Sequence, residues 1–377
     1  MIARLDTVLI KTASRCNLDC SYCYVYQGKD TSWRQQPKRL SIETIDAIVN
    51  RLLEQSEKQK EGFAIVLHGG EPLLLGYERL SLLLTKIRSR LSPECYPISL
   101  QTNGVLLDSN LLDLFSETKV SVSVSLDGGQ STNDISRVDH LGKSTYEKTI
   151  AGIKLLKSHR DSNFLFAGTL SVIQISSSPQ KTYESLKELN PPSMDFLLQD
   201  GNHDKLPVGK KDFNSTEYGE WLSGLLDVYL SDPKPIEIPY LDDLIKLCLG
   251  GVSNKEGRGS DVFGILIIET NGEIRKNDTL RTAFDGADFF QHRNNILETP
   301  ISDILRTSEF HRSSQLQFPT EQSCKKCSLL EICGGGMPLY RWSSKNEYDN
   351  PSIYCKDHEL LIKNIFKKLG VVPCSQK

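Results

Sequence analysis

The loop at residues 16–24 reads Cys16-Asn-Leu-Asp-Cys20-Ser-Tyr-Cys23-Tyr24, and it comes shortly after the apolar run Val8-Leu-Ile. Three thiolates on one short loop cannot fill the four ligand positions of a metal site. Either a fourth ligand comes from elsewhere in the chain, or the site is left one ligand short and a small molecule binds the open metal. The stretch therefore predicts a metal centre that follows the first strand.

Composition narrows the class of protein. The chain has 377 residues, 38% hydrophobic and 25% charged, with a net charge of −3, which gives no reason to expect nucleic acid as a partner. No apolar run approaches the length of a membrane span, and Asp6 interrupts the region where a secretion signal would be apolar. We expect a cytoplasmic protein without a membrane partner, in which clustered cysteines are metal ligands rather than disulfides.

Strand and helix patterns alternate through the first half of the chain, which predicts a parallel sheet covered by helices, either open or closed into a barrel. In the strand Val120–Ser125, valines alternate with serines. The valine face would meet helices, whereas small hydroxyls on the other face leave room for a polar ligand. The predicted strands are Leu5–Lys11, Phe63–Leu67, Ile98–Asn103, Val120–Ser125, Phe164–Ile173 and Met194–Leu198.

Further along, 200–215 is polar and irregular, and Asn271-Gly272 predicts a hairpin turn within 265–276. We predict two domains, an α/β domain over 1–235 and a smaller one over 236–377 that combines the hairpin, a second cysteine cluster and a C-terminal helix. That cluster consists of four cysteines, enough to close one metal site as structural zinc or as an iron–sulfur cluster. Its members are Cys324, Cys327, Cys333 and Cys355.

A third motif, Gly69-Gly70-Glu71-Pro72, ends the second predicted strand. The glycines allow close approach of a ligand to the backbone, and Glu71 can accept from an ammonium group. Together with the loop Cys16-x3-Cys20-x2-Cys23 and its aromatic Tyr22, this pattern resembles the radical S-adenosylmethionine (SAM) superfamily. The resemblance implies a partial (β/α)6 barrel of the TIM type. It also implies that the three thiolates hold a [4Fe–4S] cluster whose open iron binds SAM.

The same resemblance implies further contacts to SAM. The Gly-Gly-Glu-Pro turn would hold its amino group, while Ser125 and Arg137 would reach its carboxylate or ribose; Gln101 could instead be packed in the barrel without contact. The implied cofactor-binding residues are Tyr22, Gly69, Gly70, Glu71, Gln101, Asn103, Ser125 and Arg137.

The C-terminal cysteines resemble half of a SPASM domain, an auxiliary-cluster module of many radical SAM proteins, and imply one auxiliary [4Fe–4S] cluster. Asn277 and Met337 stand where the full pattern has cysteines, so we expect the nearer auxiliary cluster to be absent. Cys95, Cys248 and Cys374 are expected to be buried free thiols. Asp278 matches a base in sulfatase-maturing relatives, although a surface carboxylate is an equally simple interpretation.

Longer matches resemble the FxsB/XyeB-type radical SAM/SPASM peptide maturases. They include Val66-Leu-His-Gly-Gly-Glu-Pro72, Cys333-Gly-Gly-Gly336 and Asp349-Asn-Pro-Ser352. The resemblance implies an oxidoreductase that modifies a ribosomally made precursor peptide, joining an aromatic ring to a β-carbon in a three-residue cyclophane. An electron donor such as flavodoxin or ferredoxin would reduce it. The first strand lies close to residue 1, so we expect no fused peptide-recognition domain before it.

Three other interpretations stay open at this point. One is a thioether-forming peptide maturase, and another is a sulfatase-maturing oxidase that acts on a cysteine or serine of a protein. The third is a metal-stabilised binding protein without enzymatic activity, which would contain zinc and no sulfide.

Overall fold

The computed structural model describes residues 4–253, 255–259 and 262–370. The strands in these residues are β1 (Thr7–Ala13), β2 (Ala64–Gly69), β3 (Ile98–Thr102), β4 (Val120–Ser125), β5 (Phe166–Val172), β6 (Met194–Leu197), β7 (Ile265–Ile268), β8 (Glu273–Arg275) and β9 (Asn294–Asn295). The helices are α1 (Ile42–Lys58), α2 (Tyr77–Arg88), α3 (Ser109–Glu117), α4 (Gln130–Asn133), α5 (Tyr146–Ser158), α6 (Ser162–Leu165), α7 (Pro179–Lys187), α8 (Glu217–Ser231), α9 (Pro239–Cys248), α10 (Ile301–Leu305), α11 (Ser308–Gln315), α12 (Gln322–Lys325), α13 (Leu330–Cys333), α14 (Pro338–Arg341) and α15 (Cys355–Leu369). Short 3-10 helices span Ser32–Arg34, Pro72–Leu75 and Asp278–Thr282.

The chain forms two compact units that interleave along the sequence. The first consists of Met1–Leu126, Ser136–Gly168 and Phe263–Ser314, and the second of Asp127–Ile135, Thr169–Val262 and Gln315–Lys377. The division of the chain at residue 235 stays a prediction.

A sheet forms the core of the first unit, with strand order β4-β3-β2-β1-β7-β8-β9. β1 to β4 run parallel, β7 is parallel to β1, and β8 and β9 add antiparallel pairs. Register places Leu9 beside both Val66 and Ile267, and Lys11 beside His68. The carboxyl ends of these parallel strands therefore lie at one edge of the sheet, where such folds bind ligands. The predicted α/β class with a parallel sheet is confirmed.

The side-chain pattern of β4 agrees with the sequence. Val120, Val122 and Val124 are fully buried, while the alternating serines are partly accessible. Helix α1 is capped by the Ser41 side chain, which accepts a hydrogen bond from the Thr44 backbone N–H at 3.0 Å. Such a cap contributes about 1 kcal/mol.

The predicted strand 164–173 begins later than expected. Residues 162–165 form the short helix α6, and β5 begins at Phe166. The backbone N–H groups of Phe164 and Leu165 both bond to the Asp161 carbonyl at 3.0 Å, which closes a helical turn before the strand can start.

In the second unit, Thr169–Val172 of β5 pairs in parallel with Met194–Leu197 of β6. Helix α15 packs on α8 at Gly219, where an added Cβ would lie 2.7 Å from the Asp357 Cα atom. The buried Lys210 ammonium donates to the Asp357 carboxylate at 2.6 Å, and that carboxylate also accepts from the Gly219 N–H at 2.8 Å. These contacts fix the N-terminal turn of α15. No described helix is both long and apolar enough to cross a bilayer.

Candidate functional site

The first cysteine loop begins at Cys16, three residues after β1 ends at Ala13. Within the loop, the Cys23 N–H donates a hydrogen bond to the Cys20 carbonyl at 3.0 Å, which closes a turn. The Leu18 N–H donates to the Cys16 sulfur at 3.4 Å. The three thiols lie close enough to affect one another electrostatically. Burial raises the pKa of Cys16 to about 12 and also raises the pKa of Cys23. Metal binding must therefore displace protons from these thiols.

The Gly-Gly-Glu turn is tightly packed between the cysteine loop and β3. A Cβ on Gly70 would lie 1.9 Å from the Tyr26 hydroxyl and 2.4 Å from the Arg15 carbonyl oxygen. The buried Glu71 carboxylate accepts from the Thr102 hydroxyl at 2.7 Å and from the Asn103 N–H at 2.9 Å. Burial raises the pKa of Glu71. Glu71 thus joins the end of β2 to the end of β3, and its contact to a ligand ammonium stays a prediction.

The ends of β3 and β4 carry a connected set of polar side chains. Gln101 Nε2 donates to the Ser125 hydroxyl at 2.8 Å, and Asn103 Nδ2 donates to Asn17 Oδ1 at 2.8 Å. Asn103 also lies 3.9 Å from the sulfur of Cys16. Asn103, which follows β3, therefore contacts the cysteine loop, while Gln101 and Ser125 join the ends of β3 and β4.

Arg137 reaches the same loop. Its side chain is buried, and Nη1 donates to the Tyr22 hydroxyl at 2.9 Å. It also acts electrostatically on Cys23 and Glu71. The structure thus gathers the SAM contacts inferred from the sequence around one edge of the first unit, and their roles stay predictions.

Asp278 is buried in a charged cluster and is not the surface carboxylate considered above. Its carboxylate accepts from the Lys11 ammonium and from the Tyr24 hydroxyl, the latter at 2.6 Å. The Lys11 ammonium also lies 3.3 Å from Nδ1 of His68. We call Lys11, Tyr24, His68 and Asp278 the Lys11 cluster.

Burial and neighbouring charges determine the protonation states of Asp278 and His68 in the Lys11 cluster. Burial favours the neutral form of Asp278, but the positive charges of Lys11 and Arg281 outweigh it and hold the pKa of the carboxyl well below its usual range. Burial and the Lys11 charge together lower the pKa of His68 to about 3. At neutral pH the cluster therefore contains an ionised carboxylate, an ammonium and a neutral imidazole. Sequence reasoning missed Lys11 and His68, although a lysine at the end of an apolar strand was a usable signal.

The four C-terminal cysteines also come together. Electrostatic effects connect Cys333 with the other three thiols, and burial raises the pKa of Cys324 to about 11 and that of Cys333 to about 12. Within the described residues, no three His, Cys, Asp or Glu side chains converge on a single-ion site. Thiolates of a [4Fe–4S] cluster bind separate irons, so they need not converge on one ion.

The environment of the buried residue Arg341 indicates whether these four cysteines fit an anionic cluster. Arg341 is 1% exposed, and its Nε has no hydrogen-bond partner among the described residues. The charges that stabilise it include the thiols Cys324 and Cys333. An unpaired buried cation costs several kcal/mol, and a cluster held by thiolates supplies the missing negative charge. The donor set therefore fits the iron–sulfur group.

The other cysteines differ from expectation in one case. Cys248 is buried as predicted, but Cys95 is exposed. Cys95 lies in the turn after α2, where it contacts Gly62 through its backbone. Cys374 lies outside the described residues.

Known proteins resemble this chain along most of its length. The profile of the radical SAM superfamily matches residues 10–173. A cysteine-type anaerobic sulfatase-maturating enzyme of Clostridium perfringens (strain 13 / Type A) is 26% identical over 372 residues, which cover 96% of this chain and 97% of the relative. A serine-type anaerobic sulfatase-maturating enzyme of Klebsiella pneumoniae is 32% identical over 336 residues, covering 86% and 79%. The solved structure titled "Native anSMEcpe with bound AdoMet" superimposes with a TM-score of 0.81 at 25% identity, covering 96% of this chain and 98% of that one.

These findings correct the functional prediction. The expected radical SAM fold with a SPASM-like C-terminal part is confirmed. The specific assignment to FxsB/XyeB-type maturases is not supported, and the prediction of cyclophane formation is wrong, because the named relatives that match along most of this chain are sulfatase-maturating enzymes. Motifs such as the Gly-Gly-Glu-Pro turn serve SAM binding in general, so they could not distinguish one substrate from another.

Proposed function

The chain belongs to the radical SAM superfamily, and on that premise we propose that it oxidises a cysteine or serine side chain of a protein substrate to an aldehyde, as in the maturation of a sulfatase. The observation that carries this proposal is Asp278, a buried ionised carboxylate that accepts a hydrogen bond from Tyr24, the residue next to Cys23. A two-electron oxidation of such a side chain must release a proton, and Asp278 is a proton acceptor that is bonded to the cysteine loop through Tyr24. Similarity along most of the chain to sulfatase-maturating enzymes of both types supports the substrate class.

In this proposal the cofactors are divided between the two units. Cys16, Cys20 and Cys23 would hold a [4Fe–4S] cluster with SAM, which would supply the 5′-deoxyadenosyl radical for hydrogen abstraction. The four C-terminal cysteines hold one auxiliary [4Fe–4S] cluster, which supplies an electron acceptor. A small electron-transfer protein such as flavodoxin or ferredoxin provides the initial reducing electron.

The chain's own residues bind SAM and orient it. Tyr22, the turn at Gly69 and Gly70, and Arg137 hold SAM; the guanidinium suits its carboxylate because it can donate two parallel hydrogen bonds. Glu71 spans the end of β2 and the end of β3 through Thr102 and Asn103, which fixes the turn against the polar ends of β3 and β4. The residues proposed to position the cofactor are Tyr22, Gly69, Gly70, Glu71, Gln101, Asn103, Ser125 and Arg137.

The reaction balances as a loss of two electrons and two protons from the substrate. Removal of one hydrogen atom from the β-carbon, followed by one electron and one proton, converts a serine –CH2OH to an aldehyde. The same sequence converts a cysteine –CH2SH to a thioaldehyde, which water hydrolyses to the aldehyde with release of hydrogen sulfide. Once the electron has left, the protonated product is strongly acidic, so Asp278 can accept its proton despite a low pKa.

The test compares peptides that differ at one position. Purified protein, reconstituted anaerobically with iron, sulfide, SAM and a reductant, is incubated with a sulfatase peptide that carries cysteine, serine or alanine at the target site. We expect the cysteine peptide to exchange its sulfur for oxygen and lose two hydrogen atoms, or the serine peptide to become two hydrogen atoms lighter, and the product to react with a hydrazine. The alanine peptide is the control.

Two results would contradict the proposal. A cross-linked product that keeps its sulfur and does not react with the hydrazine would indicate thioether formation. Cleavage of SAM that is not accelerated by either peptide, under conditions where the clusters are intact, would exclude this substrate class.

A further inference from the structure

Arg341 occupies an unusual position in the second unit. It ends helix α14, its guanidinium is almost fully buried, and it donates only to the backbone carbonyls of Leu316 and Phe318, the latter at 3.2 Å. In the part of the chain that the structure describes, it forms no ion pair and its Nε is unpartnered. Among the described residues, the thiols of Cys324 and Cys333 act on it electrostatically.

His358 approaches the same thiols from helix α15. It lies one turn after Cys355, is buried, and places Nδ1 3.7 Å from the sulfur of Cys333. A metal-bound thiolate can only accept a hydrogen bond, so this contact requires that Nδ1 carry the hydrogen. Cluster binding would therefore select one tautomer of His358.

The position of His358 is fixed by its neighbours. Asp357, one residue earlier, is anchored by the Lys210 ammonium and by the Gly219 N–H. Because Lys210 is paired with Asp357, its charge is compensated locally. Arg341 has no such partner, so its positive charge remains directed at the cysteines.

We propose that Arg341 and His358 stabilise the reduced form of the auxiliary cluster held by Cys324, Cys327, Cys333 and Cys355, and thereby set its reduction potential for accepting an electron. One-electron reduction adds a negative charge to a site that already carries four thiolates. A buried positive charge and a hydrogen bond to a ligand sulfur both lower the free energy of that state, and such contacts are known determinants of cluster potential. The inference rests on the cluster assignment within the proposed function, and Arg341 and His358 are positioning residues that do not touch the substrate.

The experiment isolates this cluster in the full-length chain. The background is Cys16→Ala, Cys20→Ala and Cys23→Ala, which removes the SAM cluster. An anaerobic potentiometric titration then follows the visible absorbance and the EPR signal of the reduced cluster, with iron and sulfide determined on each sample. The background should contain about four irons per chain.

Three substitutions are made in that background. His358→Phe removes the hydrogen bond and Arg341→Gln removes the charge. Each should shift the one-electron equilibrium towards the oxidised form by about tenfold, which corresponds to a potential about 59 mV more negative. Arg341→Lys keeps the charge and should stay close to the background.

A matched control separates this effect from a general change of charge. Lys325 lies between Cys324 and Cys327 but is exposed to solvent. Lys325→Gln makes the same charge change as Arg341→Gln, and solvent screening should leave the potential nearly unchanged.

Every result decides the proposal. Potentials of His358→Phe and Arg341→Gln that equal the background at full iron content would overturn it, as would an equal shift in Lys325→Gln. A background protein without iron and sulfide would overturn it through the cluster assignment. If Arg341→Gln fails to assemble, His358→Phe alone decides. The titration contains no peptide, so its result does not depend on the sulfatase-type oxidation. If only that oxidation failed, the separate peptide assay would return unmodified peptide while the cluster potential stayed as expected here.

Discussion

At the scale of single residues, Lys11 is the most consequential side chain that the sequence motifs did not include. It is 3% exposed at the end of β1, and its three N–H groups face Asp278, Tyr24 and His68. A buried ammonium is tolerated only when it is paired and hydrogen-bonded. Lys11 therefore helps to keep Asp278 ionised, and it adds to the effect of burial that lowers the pKa of His68.

Replacing Lys11 should affect both stability and catalysis. In Lys11→Met, Asp278 would be a buried carboxylate without its main counter-ion, and we expect a loss of about 3–5 kcal/mol in the free energy of unfolding. Peptide oxidation should fall strongly, because Asp278 then takes up a proton and can no longer accept one. Urea unfolding and the peptide assay measure the two effects.

A surface pair provides the control for Lys11→Met. Lys86 forms an ion pair with Asp46, and both side chains are more than 40% exposed, at 42% and 44%. Lys86→Met should cost no more than about 1 kcal/mol. If both variants lost the same stability, the Lys11 cluster would not be the buried charged unit described above. Adding Asp278→Asn to Lys11→Met should recover part of the stability without recovering activity.

His68 gives a pH dependence with a definite sign. Its pKa in the folded protein is lowered to about 3, whereas an unfolded histidine titrates near pH 6.5. Between these values the unfolded chain binds a proton that the folded chain does not. The contribution of His68 to stability is therefore complete above about pH 6.5 and decreases as the pH falls, by up to about 1.4 kcal/mol per pH unit.

The variant His68→Asn tests this sign, because asparagine offers Lys11 an acceptor and does not titrate. We expect the wild type to lose stability relative to this variant between pH 7 and pH 5, as measured by urea unfolding at each pH. Parallel pH profiles of the two proteins would show that His68 is not held neutral by burial and Lys11.

At the scale of elements, the turn after β2 connects the cysteine loop to β3. Its close packing leaves no space at Gly70, where an added Cβ would lie within 2.5 Å of both the Tyr26 hydroxyl and the Arg15 carbonyl oxygen, at 1.9 and 2.4 Å. Arg15 immediately precedes Cys16. The turn and the cysteine loop must therefore move together if either is displaced.

The substitution Gly70→Ala should weaken SAM binding while the protein still assembles its clusters. Displacement of the turn from the cysteine loop disturbs the proposed cofactor contacts, and we expect at least about a tenfold loss of affinity, or about 1.4 kcal/mol. Equilibrium dialysis with labelled SAM on reconstituted protein measures it. Gly142→Ala is the control for the added methyl group: Gly142 has a positive φ of 71°, which strains alanine, but no atom lies within 4 Å of its Cβ position. Equal affinity of the two variants would contradict a role for the turn.

Elements such as β4 were predictable because their signals are local. The Val/Ser alternation gave both the bounds and the buried face of that strand, and the Ser41 cap gave the start of α1. The Lys11 cluster was not predictable in this way, because it joins residues 267 positions apart, Lys11 and Asp278. No periodicity in the sequence encodes which buried charges meet across that distance.

At the scale of the whole molecule, local sequence motifs also do not determine the substrate. The cysteine spacings identified the superfamily and its cofactors, since metal ligation demands particular residues at particular intervals. The identity of the oxidised side chain depends on the shape of a peptide site, which short motifs do not specify. For that reason the cyclophane prediction was wrong, while comparison over the full length indicated sulfatase-maturating relatives.

The number of iron–sulfur clusters per chain can also be predicted at this scale. Asn277 and Met337 stand where a third cluster would need cysteines, and Asn277 instead caps a 3-10 helix by accepting from the Thr279 N–H at 3.2 Å. We therefore expect about eight irons per chain in the reconstituted protein. About four should remain when either cysteine set is replaced by alanine, because each set closes its own site. The two sets are Cys16, Cys20 and Cys23, and Cys324, Cys327, Cys333 and Cys355. Iron and sulfide analysis of the three proteins measures this; about twelve irons in the wild type would reveal a third cluster, and loss of all iron from either variant would show that the two sites depend on each other.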